Sequence, residues 1–449
     1  MIEEKQLHKN VDEGLAYAKT IGATNTEIVI SQTVEDLTRF ANNSIHQSVS
    51  LTDSLVHVRV VVGKKIGVVR TNVFSGEGVR WAIKTAKELS AFQNDDPHFV
   101  DLPHKAAYKK HDAVYEKAVH LGPKGRAKAI KVVIDASQKK KLSASGWFVE
   151  SDRISIVANS NGVWGYQASK SATFSTIITG ADGSGYGSHS AKGGKDIDTA
   201  YVSKQAIGKA VQGKLLDIEP GEYEVILEPP AVAELLDFFS WVGPNARMYH
   251  EDASFYHGNI DKKLLHESLT ILDDPGHEMG YPIGFDWEGF PKTAQTLVQN
   301  GVLKSVAYDS YHAAKYKSPN TGNALLAPNT FGPVPTHIVI APGDKSLSTM
   351  IKSIKKGILV TRFWYTRIIH HKKVLLTGMT RDGTFLIENG KIKGRVRNMR
   401  YTESVLEALR DIRGIGDTQQ LVGSDEGSPT LVPALHLGKF RFSGVTKHG

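Results

Sequence analysis

Between residues 26 and 71 the chain alternates apolar and polar residues in short runs broken by tight-turn signals. Thr26 to Ser31 reads as a strand, and so does Leu37 to Ala41. Asn42-Asn43 is a turn before a strand at Ile45 to Leu51, and Gly63-Lys64 joins Leu55–Val62 to Lys65–Thr71 as a hairpin. A period of two sends successive side chains to opposite faces, and two-residue connections make neighbouring strands antiparallel. Such a sheet needs one face covered. Leu7, Val11, Leu15 and Ala18 supply a helical stripe before it, and Val79, Ile83 and Ala86 within Gly76 to Leu89 supply another after it. The pattern predicts an α+β layer.

A second unit follows a Pro- and His-containing link at Asn94 to His111. Lys124 to Gln138 and Thr199 to Gln212 have helical spacing. Leu142–Phe148, Ile154–Asn159 and Val163–Ile178 read as strands. Gly180 to Gly194 is rich in Gly and Ser and reads as a mobile loop. It is not a phosphate loop, because Gly194-Lys195 is followed by Asp196 and position 189 is His. A boundary falls at Glu219-Pro220-Gly221. A strand at Tyr223–Leu227, a helix at Ala231–Val242 opened by Pro229-Pro230, and many short strands beyond Leu264 come after it. The expected domains are 1–110 (N-terminal α+β), 111–219 (central α+β) and 220–449 (β-rich). The fold class is α+β, an N-terminal α/β region with mixed sheets and a β-rich C-terminal domain. No solenoid or propeller period is present.

None of the 449 residues is cysteine. Disulfides, thiolate metal ligands, a Cys nucleophile and Cys-bound iron–sulfur clusters are excluded. The start, MIEEKQLHKN, is too polar for a secretory signal, and Leu55–Val62 is short and interrupted by His57 and Arg59. A cytoplasmic chain without a membrane partner is expected. The net charge of +8 is scattered, with Lys139-Lys140-Lys141 the densest run. That argues for a solvated basic surface rather than a nucleic-acid partner.

The most chemically suggestive stretch is Ala246 to Gly258, ARMYHEDASFYHG. His250-Glu251 begins like a zinc-protease motif, in which a helix presents two His and the adjacent Glu polarises a metal-bound water. The next His is His257. On a regular helix the two would be roughly 10 Å apart along the axis, too far to share one ion. A loop would have to bring them together. His370-His371 points its rings to opposite sides of a strand or lies in a surface turn. Asp95-Asp96 and Asp273-Asp274 stand beside Pro and read as turns.

Four stretches in register resemble the TldD/PmbA family, the modulator of DNA gyrase family of metallopeptidases. They are Thr38–Gln47, Ala158–Gly162, Asp286-Trp287-Glu288-Gly289 with Asn300–Lys304 and Tyr308–Ser310, and Ile387–Ile392. The resemblance implies a cytoplasmic dimer acting on unfolded or leader peptides. Commonly it pairs a zinc-bearing TldD subunit with a PmbA/TldE subunit. In the TldD subunit zinc is held by a His-Glu-x-x-x-His helix and a downstream Cys. Here Phe255 occupies the position of the second His, and the stretch matching the Cys is Leu421-Val422-Gly423-Ser424. Phe offers no lone pair, and a Ser hydroxyl is a poor substitute for thiolate.

The expected role is therefore that of the non-catalytic TldE-like subunit of a zinc peptidase complex. His250, Glu251 and His257 are degenerate metal-site candidates, zinc is expected on a TldD-like partner rather than on this chain, and a homodimer is the other form of association. The alternatives are a self-sufficient peptidase with a rearranged site, or a basic protein acting on nucleic acid or DNA gyrase.

Overall fold

The computed structural model describes residues 3–181, 183–423 and 429–446. The first half contains α1 (Glu4–Thr20), β1 (Asn25–Ala41), β2 (Ser44–Val62), β3 (Lys65–Thr71), α2 (Gly76–Ser90) and a short α3 (Asp112–Glu116). Then come α4 (Gly122–Gln138), β4 (Ser143–Asn159), β5 (Trp164–Gly180), β6 (Gly183–Ala191) and α5 (Thr199–Ala210). The six strands form one antiparallel sheet in the order β3-β2-β1-β4-β5-β6. β1 pairs with β4 from Glu27↔Asn159 to Phe40↔Gly146, so residues 1–110 and 111–219 share a single sheet. Each half contributes a helix, a three-strand meander and a closing helix, and the two meanders meet at β1 and β4.

The strands are longer than the sequence runs. Residues 26–31 and 37–41 are parts of one strand, β1, and 45–51 and 55–62 are parts of β2. The residues between them lack Gly and Pro, so nothing interrupts the ladder even where the side chains are polar. The Gly-Ser segment expected as a mobile loop is instead the edge strand β6, paired with β5 from Ala172↔Ala191 to Gly180↔Gly183. Its glycines reflect a close helix rather than flexibility. A Cβ on Gly185 would lie 2.1 Å from the Ala206 carbonyl oxygen of α5, and one on Gly187 would lie 2.8 Å from that of Val202. Gly67 on the opposite edge strand meets α2 in the same way, 1.8 Å from the Ala86 carbonyl oxygen.

All the long helices of this half cover one face. Ile28, Ile30, Val56, Val58 and Val60 pack with α1 and α2, while Phe40, Phe148 and Phe174 pack with α4 and α5. The other face looks toward the second half, where Val29, Val157 and Val163 meet Phe285.

The second sheet comprises β7 (Lys214–Leu216), β8 (Gly221–Leu227), β9 (Ile271–Asp273), β10 (Gln295–Gln299), β11 (Val302–Leu303) and β12 (Ile338–Ile340). It continues with β13 (Lys356–His370), β14 (Leu375–Glu388), β15 (Lys391–Val396), β16 (Met399–Ser404), β17 (Ile412–Val422) and β18 (Thr430–Val445). Its order is β11-β10-β9-β12-β18-β8-β13-β14-β15-β7, with β16 on β14 and β18, and β17 on β18. Strand directions mix here: β12/β18, β8/β13 and β7/β15 are parallel. The helix α6 (Pro229–Val242) buries Leu235, Leu236 and Phe239 against this sheet. The whole is an α+β fold. Among the described residues no helix is long and apolar enough to cross a membrane.

Candidate metal centre and the cleft beside it

The motif stretch does not fold as a metal-binding helix. After α6 the chain forms α7 (Ala246–His250), capped by Asn245, whose side chain accepts from the Met248 N–H. The helix ends at His250, and Asp252 turns left-handed at φ +53. The residues that follow leave the helix axis. Phe255 enters the main core, 3% exposed, with its ring 5.0 Å from that of Phe239.

Each candidate ligand has another partner. His250 stacks on Tyr316 at 3.6 Å and 11°, and its Nε2 hydrogen-bonds the Tyr308 hydroxyl at 2.9 Å. Tyr308 precedes α8 (Ser310–Tyr316), and Tyr316 ends it. Burial, then the neighbouring His312, His257 and Lys315, holds the His250 pKa below the usual histidine value. Both Glu251 oxygens take Arg247 Nε, at 3.1 and 3.2 Å. His257 Nδ1 bonds the Tyr249 carbonyl at 2.8 Å, and its Nε2 lies 3.8 Å from Asp252.

Among the described residues no three His, Cys, Asp or Glu side chains are grouped to hold a metal ion. The arrangement of His250, Glu251 and His257 does not fit zinc. Ser424 lies outside the described residues. The long helix of this half, α6, offers Glu234, Asp237, Phe238 and Trp241 at spacings of three and four, and contains no His.

The stretches that carried the resemblance build turns and a junction. Asn300-Gly301 and Asn389-Gly390 are left-handed pairs at the β10–β11 and β14–β15 turns, and Asn42-Asn43 does the same between β1 and β2. Asn159 accepts from the Asn161 and Val163 amides and donates to the Pro103 carbonyl. Asp286 accepts from the Glu288, Phe290 and Ala324 amides at 2.9 to 3.0 Å. Gly289 follows at φ +73, where a Cβ would strike Val163 of the first sheet, and its carbonyl accepts from the Tyr108 hydroxyl at 2.8 Å. Burial pushes Asp286 up to about 6.

Above this junction lies a cleft of about 440 Å³ between the uncovered face of the first sheet and the loops of the second half. Ser151, Ser155, Ser169 and Ser171 line one wall with Arg153, while Trp287 and Lys292 stand on the other. Lys292 is 3.5 Å from the buried Asp273 and donates to the Gly322 carbonyl at 3.0 Å. Sequence reasoning missed this cleft. Its serines are spread over two strands and converge only through the β4–β5 register.

Residues 220–444 match the PmbA/TldA metallopeptidase C-terminal domain, and residues 26–90 match PmbA/TldA metallopeptidase domain 1. A metalloprotease of Methanothermobacter thermautotrophicus is 25% identical over 64% of this chain and 65% of its own length. A TldD homologue of Buchnera aphidicola is 28% identical over 52% of this chain. The chain thus spans about two thirds of the first relative's length and 48% of the second's. TldE from Thermococcus kodakarensis superposes with a TM-score of 0.87 at 20% identity, covering 97% of this chain and 100% of that one, which places the two in the same fold. On the two domain matches, the chain belongs to the PmbA/TldD family of metallopeptidase-related proteins.

Proposed function

We propose that this chain is the non-catalytic, TldE-like subunit of a cytoplasmic peptidase complex. It pairs with a zinc-bearing TldD-like chain and helps enclose an extended peptide. The observation that carries this reading is the fate of the motif stretch: its helix stops at His250, the imidazole is engaged by Tyr308 and Tyr316, and Phe255 is core. The serine-lined cleft supports the second part, since its hydroxyls offer hydrogen bonds to a peptide backbone with little demand on side-chain identity.

Co-purification tests the reading. The chain alone should take up no stoichiometric zinc and cleave no peptide, while co-expression with a TldD-like chain should give a stable complex that does both. Peptide cleavage by the metal-loaded chain alone would overturn it in favour of a self-sufficient peptidase.

A further inference from the structure

Three arginines of β13 and β14 each lie over an aromatic ring. Arg362 is 4.4 Å from the centre of Tyr186, Arg381 is 3.8 Å from that of Trp364, and Arg367 is 4.7 Å from that of Tyr365. Arg362 and Arg381 are direct cross-strand partners, and the Trp364 and Tyr365 rings are 5.5 Å apart. The six side chains therefore form one continuous row. From Arg362 to Arg367, opposite Arg381 to Thr377 of β14, it covers roughly 13 Å at the usual strand rise.

Tyr365 sets this row apart from ordinary surface. Its φ is +59, a left-handed conformation that bulky residues rarely adopt, at the register break between Trp364 and Arg367. Tyr365 is 63% exposed and Trp364 is 43% exposed. The strained backbone therefore presents two rings to solvent instead of burying them. Strain that packing does not explain is characteristic of surfaces built for contact.

Stacking uses the flat face of a guanidinium and leaves its in-plane N–H groups to donate. Arg362 is committed to Asp382, with Nε at 3.0 Å, and Ser184 fixes the same carboxylate at 2.6 Å. Arg381 Nε stands 3.7 Å from Asp382, beyond hydrogen-bond range, and Arg367 Nη1 donates to the Thr366 carbonyl at 2.7 Å. Arg367 and Arg381 thus retain donors for a ligand.

The charge balance selects among ligands. Asp382 pairs with Arg362, and Glu234, whose carboxyl is bonded to Thr366, acts on Arg362 and Arg367; Arg400, in register with Met379 beside Trp364, adds a further cation, so the row stays positive around one fixed carboxylate. That suits one or two carboxylates and opposes a polyphosphate backbone passing Asp382. We propose that this row binds an acidic, extended peptide segment, with its carboxylates on Arg367 and Arg381 and its backbone against Trp364 and Tyr365. Peptide as the ligand rests on the function proposed above, but the test uses this chain alone, so failure to find a zinc-bearing partner would leave the inference standing.

The experiment is a fluorescence-anisotropy titration of the full chain with a fluorescein-labelled heptapeptide alternating alanine and glutamate. It should bind about tenfold more tightly than its glutamine counterpart, and the Arg367→Ala/Arg381→Ala double variant should abolish that difference. Thermal melting checks that the variant is folded. If it is not, Arg367→Lys/Arg381→Lys keeps the charges, loses the planar fork, and should still weaken binding several-fold. Equal binding of the two peptides, or affinity unchanged in a folded variant, would overturn the proposal. So would tighter binding of oligothymidylate.

Discussion

Arg59 donates to Glu27 at 2.8 Å across neighbouring strands of the first sheet, with Glu27 fully buried and Arg59 12% exposed. Two carboxylates of the second half, Glu288 and Asp309, act on the same guanidinium. Glu27, Glu288 and Asp309 thus converge on Arg59. Burial pushes Glu288 up to about 8; Asp286, Asp309 and Glu27 add to the rise, and Arg59 opposes it. An acid whose pKa is raised by folding contributes stability that is complete below its unfolded value of 4.5 and disappears as pH climbs through about 8. The melting temperature should fall between pH 6 and 8.5, by roughly 3 °C or more. Glu288→Gln, neutral at every pH, should flatten that decline. An unchanged slope in the variant would assign it to other groups.

Removing the cation is expected to do more harm than removing the pair. Arg59→Met leaves the fully buried Glu27 without the cation it is bonded to, a loss of about 3–5 kcal/mol in urea unfolding. Adding Glu27→Leu should restore part of that, because one buried charge goes with it. A double variant no more stable than the single would mean that Glu27 is satisfied by partners other than Arg59.

His250 separates structural from chemical use of the old motif. His250→Phe keeps the stack on Tyr316 and loses the bond to Tyr308, so it should cost under about 1.5 kcal/mol and leave peptide cleavage by the paired complex within twofold. His250→Ala also removes the ring and should destabilise further. A selective loss of cleavage in a stable His250→Phe complex would return this residue to the chemistry.

Turn chemistry made the fold legible. Asn42-Asn43, Asn300-Gly301 and Asn389-Gly390 announce their turns by composition, and Pro229 announces the start of α6. The same local legibility explains why the family resemblance surfaced in those stretches, which position backbone rather than react. Long-range facts were hidden. That β1 and β4 make one sheet out of two apparent units depends on a pairing more than a hundred residues apart in sequence. The ends of Gln32–Asp36 gave no turn signal because there is no turn. The candidate site was half visible: His250-Glu251 stands out as a pair, but the chain's departure at Asp252 and the burial of Phe255 depend on tertiary packing.

Gly185 tests the strand that composition disguised. In a loop, Gly185→Ala would be neutral or slightly stabilising. In β6 the new methyl meets the Ala206 carbonyl oxygen, and α5 must shift to admit it. A loss of about 1–3 kcal/mol is expected, read as an earlier urea midpoint with unchanged slope. Neutrality would mean that β6 and α5 part easily.

Tyr365→Gly should divide stability from recognition. Glycine adopts φ +59 without penalty, and because Tyr365 is 63% exposed the removal of its side chain uncovers little core. The variant should unfold no earlier than the parent, and up to about 1 kcal/mol later. It should also lose several-fold affinity for the glutamate peptide, since Arg367 is left without the ring that orients it. A marked drop in stability would show that the contacts with Trp364 and Arg367 outweigh the backbone strain, and that the bulge is held for packing rather than for a ligand.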